Sequence, residues 1–461
     1  MDELAFEKSF EAKRRFFDEG KGRSLAFRMA QLKKLKGMIK KNEKRIMEAL
    51  FLDLHKSEFE AFTSEIGIIY EEINVTLKNL KTWMKPEKSG IPLVLQPSKA
   101  TIYSEPLGIV LIIAPWNYPF QLALAPLVGA MAAGNCVVIK PSDQAKHTSN
   151  LLAELIGETF DEETVSVVQG PGAMIGPMLL DKFRFDHIFF TGSPSVGKQI
   201  LALAAKNLTP VTLELGGKSP AVVHKDADLA VSAKRLVWAK FFNGGQTCIC
   251  PDYVLVHEKV KDDFLMEVER HILLFYGENP ADSPDFGRII NEKRFDILEG
   301  YLTQGHLVCG GDLDRESLFI GPTVLDQVDL EGSIMREEIF GPILPVIGYR
   351  EIDQALALIR KNRYPLALYL FTKSRGIEEY MLENVEFGGG CINNAMIHVA
   401  NSSLPFGGVG NSGMGLYHGK AGFDTFSHKK SIMKSDFGVE LPIKFPPYGK
   451  GKITLARNFF K

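Results

Sequence analysis

Two side chains in this sequence have the types and surroundings for covalent acyl chemistry. Cys248 lies in Phe-Phe-Asn-Gly-Gly-Gln-Thr-Cys248-Ile-Cys250-Pro251, and Glu214 lies in Val-Thr-Leu-Glu214-Leu-Gly-Gly-Lys-Ser-Pro. A thiol can hold an electrophilic carbon as an adduct, and a carboxylate can activate the water that removes it. Gly244 and Gly245 lack side chains, so a ligand can approach the backbone just before the thiol. Leu213 and Leu215 flank Glu214 and argue for partial burial, which raises a carboxyl toward the range of a general base. Attack on a carbonyl makes an oxyanion, which needs preorganised donors. Asn117, after an apolar run and before Tyr-Pro, can offer a side-chain amide, although turn chemistry also explains an asparagine there. Cys248 taken alone could be a buried structural cysteine. Cys250 reads as a passive neighbour, with a disulfide to Cys248 conceivable on oxidation.

Such groups need strand ends to hold them. Short apolar runs at Ile109–Ile113, Cys136–Ile139, Val165–Val168 and His187–Phe190 read as buried strands. Each is followed by a Pro or Gly turn and a helix-like stretch. That rhythm predicts a parallel, doubly wound sheet with a dinucleotide at the carboxyl ends of its strands. Gly192-Ser193-Pro-Ser-Val-Gly197 would then open a helix whose free N–H groups face a pyrophosphate. Pro194 departs from Gly-x-Gly-x-x-Gly, so the loop alone is a weak signal. From Ser219 the pattern restarts with Ala221-Val-Val, a helix through Trp238, and Tyr253-Val-Leu-Val, a second α/β unit reaching about residue 395. Before Pro86 there is no proline, and Phe6, Phe10 and Phe17, then Leu25, Met29 and Leu32, recur at helical spacing. Lysine pairs such as Lys33-Lys34 read as solvated faces. Pro86 to Pro97 breaks the helical pattern, and Ile102–Ser104 reads as an extended excursion.

A length of 461, 45% hydrophobic and 24% charged residues fit a globular protein of two or more packed units. A net charge of −2 gives no footprint for nucleic acid or an anionic membrane. Five scattered cysteines, without a Cys-x-x-Cys pair, suit a reducing cytosol better than a disulfide framework. No histidine spacing suggests a metal, and the chemistry above needs none. No signal-peptide core or membrane-spanning run is present, so a cytoplasmic location is expected.

Seven segments together resemble the signatures of the NAD(P)-dependent aldehyde dehydrogenase superfamily. They are Ala114-Pro-Trp-Asn117-Tyr-Pro, Lys140-Pro-Ser-Asp143, Phe190-Thr-Gly192-Ser-Pro-Ser-Val-Gly197, Leu213-Glu-Leu-Gly-Gly-Lys218, the Cys248 segment, Glu337-Glu338-Ile-Phe340-Gly-Pro342, and Leu404-Pro-Phe406-Gly-Gly-Val-Gly-Asn-Ser-Gly-Met-Gly. The length and Gly413-Met-Gly-Leu-Tyr-His-Gly-Lys look most like class 3, the fatty and aromatic aldehyde dehydrogenases. The resemblance implies that the Asn117 amide and the Cys248 N–H form an oxyanion hole and that Glu214 is the general base. It implies cofactor binding by Lys140 and Asp143 at the adenosine ribose, by Gly192, Ser193 and Gly197 at the pyrophosphate, and by Glu338 and Phe340 at the nicotinamide end. Relatives often carry glutamate where this chain has Asp143, so NAD is the expected cofactor, with NADP also accepted. Tyr118 and Trp238 match tunnel positions, and Phe406 joins them; each could instead be a core aromatic. An apolar tunnel favours medium- to long-chain aliphatic or aromatic aldehydes.

The implied architecture is two doubly wound parallel-sheet domains plus a small bridging unit. Residues 1–88 and 106–218 form the dinucleotide-binding part and 219–395 the catalytic part. Residues 89–105 and 396–461 form the bridge of a homodimer, and the segment from Phe406 closes over the site. Membrane-bound relatives add a hydrophobic tail, whereas Thr454-Leu-Ala-Arg-Asn-Phe-Phe-Lys461 is too short and mixed to span a bilayer and is expected to pack on its own protein. Two rival functions remain. A CoA-acylating enzyme tends to lack the glutamate found here, and a non-catalytic relative would have lost the nucleophile or the base.

Overall fold

The strands that carry the candidate residues lie in two parallel sheets of a computed structural model, which describes residues 3–438 and 442–459. In the first sheet the parallel strands are ordered Val211–Leu215, His187–Gly192, Ile109–Ile113, Cys136–Lys140 and Val165–Val167. In chain order this is 5-4-1-2-3, the doubly wound arrangement, and its switch point falls between Ile109–Ile113 and His187–Gly192. The four strands expected here from sequence are present. They are runs of Val, Ile, Leu and Phe because helices cover both faces of the sheet. Gly413–Met414 adds an antiparallel edge beside Val211–Leu215, with Gly413 opposite Glu214.

The second sheet runs His306–Cys309, Thr323–Asp326, Ile343–Tyr349, Tyr253–His257, Pro220–Val223, Ala367–Phe371 and Gly389–Ile392, parallel except at its first strand. Asp228 caps the helix Leu229–Phe241, whose end feeds the turn before Cys248. The proline-free amino-terminal region folds as the helices Glu3–Asp18, Leu25–Leu54 and Gly67–Trp83, with a π-type turn at Phe62–Ile66. Such turns often accompany functional sites. Buried side chains of the helices Leu25–Leu54, Gly67–Trp83 and Gln121–Ala133 share one core with strands of both sheets, whereas Phe6 and Phe16 of Glu3–Asp18 pack on the other face of the first sheet.

The extended excursion is the strand Lys99–Pro106, which pairs antiparallel with Glu87–Ser89 on one side and Ser427–Lys434 on the other. Residues between Phe406 and the helix Gly419–Thr425 pack instead on the first sheet and its helices, where Tyr417 and Phe426 lie edge-on and tilted against Phe189. The carboxyl-terminal helix Lys450–Phe459 departs from expectation: Ile453 and Leu455 stay about half exposed instead of packing on the chain's own surface. Among the described residues, no helix is long and apolar enough to cross a membrane.

Candidate active site

The residues before Cys248 adopt a backbone that most side chains resist. Asn243, Gly244 and Gly245 have φ values of 54°, 59° and 73°, all left-handed. Gly245 has a second constraint, because a side chain there would collide with the Gly341 backbone. Gln246 pins the turn: its amide donates to Asn243 O and Arg288 O, and its carbonyl oxygen accepts from Ile290 N–H. The outcome is a half-buried Cys248 at the turn's end. Its own N–H and that of Ile249 point at the sulfur and favour a thiolate. Burial, followed by the Glu338 and Glu214 carboxylates, outweighs them and raises the thiol far above its ordinary range.

Asn117 follows the switch-point strand Ile109–Ile113 and is buried. Its side-chain amide donates to Gln246 O at 3.0 Å. An amide NH2 carries two donors, so one stays available to an oxyanion. Glu214 is the fourth residue of its strand, level with Thr191 on the neighbouring strand. It is 3% exposed, and neither carboxyl oxygen has a hydrogen-bond partner among the described residues. Burial alone raises its pKa well above the ordinary value. The sequence suggested partial burial; the sheet edge Gly413–Met414 and the close approach of Gly407 make it complete.

Two cavities meet at these groups. One, of about 210 Å³, is lined by apolar and aromatic side chains that include Tyr118, Trp238, Phe242, Phe406 and Tyr417. The other is a polar cleft of about 1010 Å³, lined by Asn117, Gly192, Ser193, Glu338 and Phe340 among others. Cys248, Glu214, Thr191 and Leu122 line both. Tyr118 O–H lies 2.7 Å from Thr247 Oγ1, Trp238 packs on Phe242, and Phe406 stacks between His398 and His418.

Lys140, Asp143 and Gly197 do not line either cavity. Lys140 Nζ lies 3.3 Å from Asp143 Oδ1, which also accepts from Gly172 N–H. A side chain on Gly197 would strike Leu215, so this glycine lets the helix Pro194–Ala205 approach the sheet.

The aldehyde dehydrogenase family model matches residues 2–432. The chain belongs to the aldehyde dehydrogenase family. It is 46% identical over 457 residues to 4,4'-diaponeurosporen-aldehyde dehydrogenase of Staphylococcus aureus (strain NCTC 8325 / PS 47), covering 99% of both chains. It is 46% identical over 453 residues to aldehyde dehydrogenase family 3 member B1 of Mus musculus, covering 98% of this chain and 96% of that one. A solved structure described as the substrate-bound state of Staphylococcus aureus AldH superposes with a TM-score of 0.96 at 45% identity, covering 99% of each chain. This aldehyde dehydrogenase is thus an NAD(P)-dependent oxidoreductase that resembles the class 3 enzymes.

The polar cleft of the aldehyde dehydrogenase fits such a cofactor. Ser193 caps a helix whose amino end faces the cleft, and Pro194 at the first turn has no N–H to leave unsatisfied. A side chain on Gly216 would collide with the Glu338 carboxylate, so the backbone there is cleared for close approach. Burial, with Asp252 adding to it, raises Glu338 to about 8, against the Gly217 N–H, Arg294 and Lys218, which lower it. The segment Glu337–Phe340 is held from beneath. Lys218 pairs with Asp252 and donates to Ile334 O and Glu337 O, Asp252 accepts from Ile339 N–H, and Arg294 donates to Glu338 O. Phe340, in a left-handed conformation, meets Trp116 edge-on.

Sequence reasoning missed these supports. It also missed the buried Lys56, Glu60 and Glu65 of the amino-terminal helices. Lys218 stood inside a recognised motif and could have been singled out. Nothing in the local sequence separates Lys56 from the solvated lysines around it.

Proposed function

We propose that this aldehyde dehydrogenase oxidises hydrophobic aldehydes, aliphatic or aromatic, to carboxylates, with Cys248 as nucleophile, Asn117 in the oxyanion hole and Glu214 as general base. The observation that carries the reading is that Cys248 and Glu214 line both an apolar pocket and a polar cleft. An aldehyde in the apolar pocket presents its carbonyl carbon to the Cys248 sulfur. The carbonyl electron pair moves to oxygen, where the free Asn117 N–H and the Cys248 backbone N–H meet it. A nicotinamide bound in the cleft supplies the acceptor for the hydride that the tetrahedral carbon must lose.

What remains on Cys248 is a thioester. Glu214, buried and without partners, holds a water and takes its proton as the oxygen attacks the acyl carbon. The carbon–sulfur bond breaks, the carboxylate leaves, and the thiolate is restored. Gly192, Ser193, Glu338 and Phe340 are the residues of the cleft that would hold the cofactor, with Gly197 bringing the helix close. Lys140 and Asp143 would take the adenosine end, beyond the cleft.

NAD is the main cofactor in this reading, with NADP also used, because Asp143 is short, half exposed and offset by Lys140. The chain works as a cytoplasmic homodimer: the strand Ser427–Lys434 lies at a sheet edge suited to strand addition. The test is a panel of aldehydes followed by NADH formation at 340 nm. Hexanal, decanal and benzaldehyde should show higher kcat/KM than glyceraldehyde or glycolaldehyde. A preference for the polar aldehydes would overturn the substrate assignment, and dependence on added CoA would overturn hydrolysis as the second step.

A further inference from the structure

The amino-terminal helices carry an ion pair with no exposed surface. Lys56 follows the helix Leu25–Leu54 directly after the left-handed His55, and Glu65 sits in the π-type turn Phe62–Ile66. Lys56 Nζ and Glu65 Oε1 are 2.5 Å apart, and both side chains are 0% exposed. Taking two charges out of water is tolerable only when their remaining hydrogen-bonding capacity is also used. Here it goes to the loop that follows the switch-point strand. Glu65 Oε2 accepts from the Phe120 and Gln121 N–H groups at 3.0 and 2.9 Å, where the amino end of the helix Gln121–Ala133 also favours an anion. Lys56 donates to the Asn117 carbonyl at 3.0 Å, and its ammonium lies 4.0 Å from the Tyr118 ring centroid.

The Asn117 carbonyl takes a second donor from the other side. Asn243 Nδ2, in the left-handed turn before Cys248, reaches it at 2.9 Å. The Asn117 amide returns a hydrogen bond to Gln246 O in the same turn. One carbonyl therefore joins Lys56 to both loops that supply the oxyanion donors. A hydrophobic pair of similar volume would hold the helices about as well, so stability gives little reason for charges here. Geometry gives a better one.

We infer that Lys56 is a positioning residue for the oxyanion hole: held by Glu65, its ammonium fixes the Asn117 carbonyl and so the direction of the Asn117 amide. The inference rests on the roles proposed for Cys248 and Asn117. It concerns the oxyanion and not the nucleophile's ionisation, which burial, Glu338 and Glu214 dominate.

Two cofactor-free reactions of Cys248 separate these effects. With 4-nitrophenyl acetate the thiolate adds to the ester carbonyl, an oxyanion forms, and the carbon–oxygen bond breaks to release 4-nitrophenolate. With iodoacetamide the thiolate displaces iodide from a saturated carbon, and no oxyanion forms. Lys56→Met should slow the nitrophenolate burst by about 10²-fold, the scale of a misplaced oxyanion donor, while iodoacetamide labels Cys248 at the wild-type rate. Because methionine leaves Glu65 buried without its partner, the double variant Lys56→Met/Glu65→Leu is measured beside it. It should fold with wild-type circular dichroism and retain the same selective loss. Acylation at the wild-type rate in either folded variant overturns the assignment, as does a parallel fall in acylation and alkylation. If labelled wild-type enzyme keeps its turnover, Cys248 is not the nucleophile and the reading of the site itself falls first.

Discussion

Replacing Glu214 by glutamine changes one buried proton-accepting group and almost nothing in shape. The carboxylate has no hydrogen-bond partner among the described residues, so the amide breaks no hydrogen bond seen there. Loss of a general base costs about 10²–10⁴-fold in the step it serves, or about 3–5 kcal/mol of barrier. In the proposed mechanism that step is deacylation. With acylation spared, the variant should release one equivalent of NADH per site in a fast burst at 340 nm and then turn over about 10²–10⁴-fold more slowly. The thioester should be visible as an acyl mass on the Cys248 peptide.

Stability supplies an independent reading of the same substitution. Glu214 is an acid whose folded pKa is raised above its unfolded value, so the folded state binds the proton more tightly. The cost is absent below the unfolded pKa and grows as pH rises toward the folded one. The melting temperature of Glu214→Gln should match wild type near pH 4.5 and exceed it at pH 8. Activity lost together with stability gained marks a group kept for its chemistry. Unchanged steady-state turnover would remove Glu214 from the mechanism, and a lower melting temperature at pH 8 would show that its charge is compensated.

Cys248→Ala should abolish aldehyde oxidation while leaving cofactor binding, read by fluorescence titration, intact. Glu338 sits at about 8, and its ionised form is the better acceptor for ribose hydroxyls, so cofactor affinity should tighten as pH rises from 7 to 9. Glu338→Gln should flatten that dependence, and an unchanged slope would place Glu338 away from the cofactor. Asp143→Glu should shift the ratio of specificities toward NAD and Asp143→Ser toward NADP, by about 1–2 kcal/mol, the scale of one charged contact. Equal ratios in all three forms would show that Asp143 does not face the ribose. Light scattering should give a dimer at micromolar concentration, and a stable monomer would refute assembly through the Ser427–Lys434 edge.

What could be read from the sequence was local. The four strands of the first sheet announced themselves as apolar runs closed by Gly or Pro, because a sheet covered on both faces leaves no room for polar alternation. Asn117, Gly192 and Glu214 stand at or near strand ends, and the glycines before Cys248 marked the left-handed turn. What the supports hold was not legible, even for Lys218 inside its motif, because those contacts are made far away in the chain. Lys56 meets Asn117 across 61 positions, and Lys218 meets Glu337 across 119. A lysine that is fully buried and one that is fully solvated look alike in a helical pattern. The half-exposed Ile453 and Leu455 show the converse: apolar residues at a chain end do not by themselves say what covers them.

The electrostatics of the site follow from the same long-range packing. A thiol and two carboxyls, Cys248, Glu214 and Glu338, are all pushed toward their neutral forms, and burial is the first cause for each. The thiol feels both carboxylates, so charging either acid makes the thiolate harder to form. Such a site resists premature ionisation. In the proposed mechanism a bound nicotinamide, cationic in its oxidised form, would offset the charge of the thiolate as it forms. In the same mechanism Glu214 would stay protonated during attack and give up that proton before it accepts one from the deacylating water. The separation of the two half-reactions would thus come from one dry pocket and not from two sets of residues. For that order to hold, the oxyanion donors must already be in place before any charge develops. The Lys56–Glu65 pair, fixed during folding and remote from the thiol's own charge balance, is suited to that task.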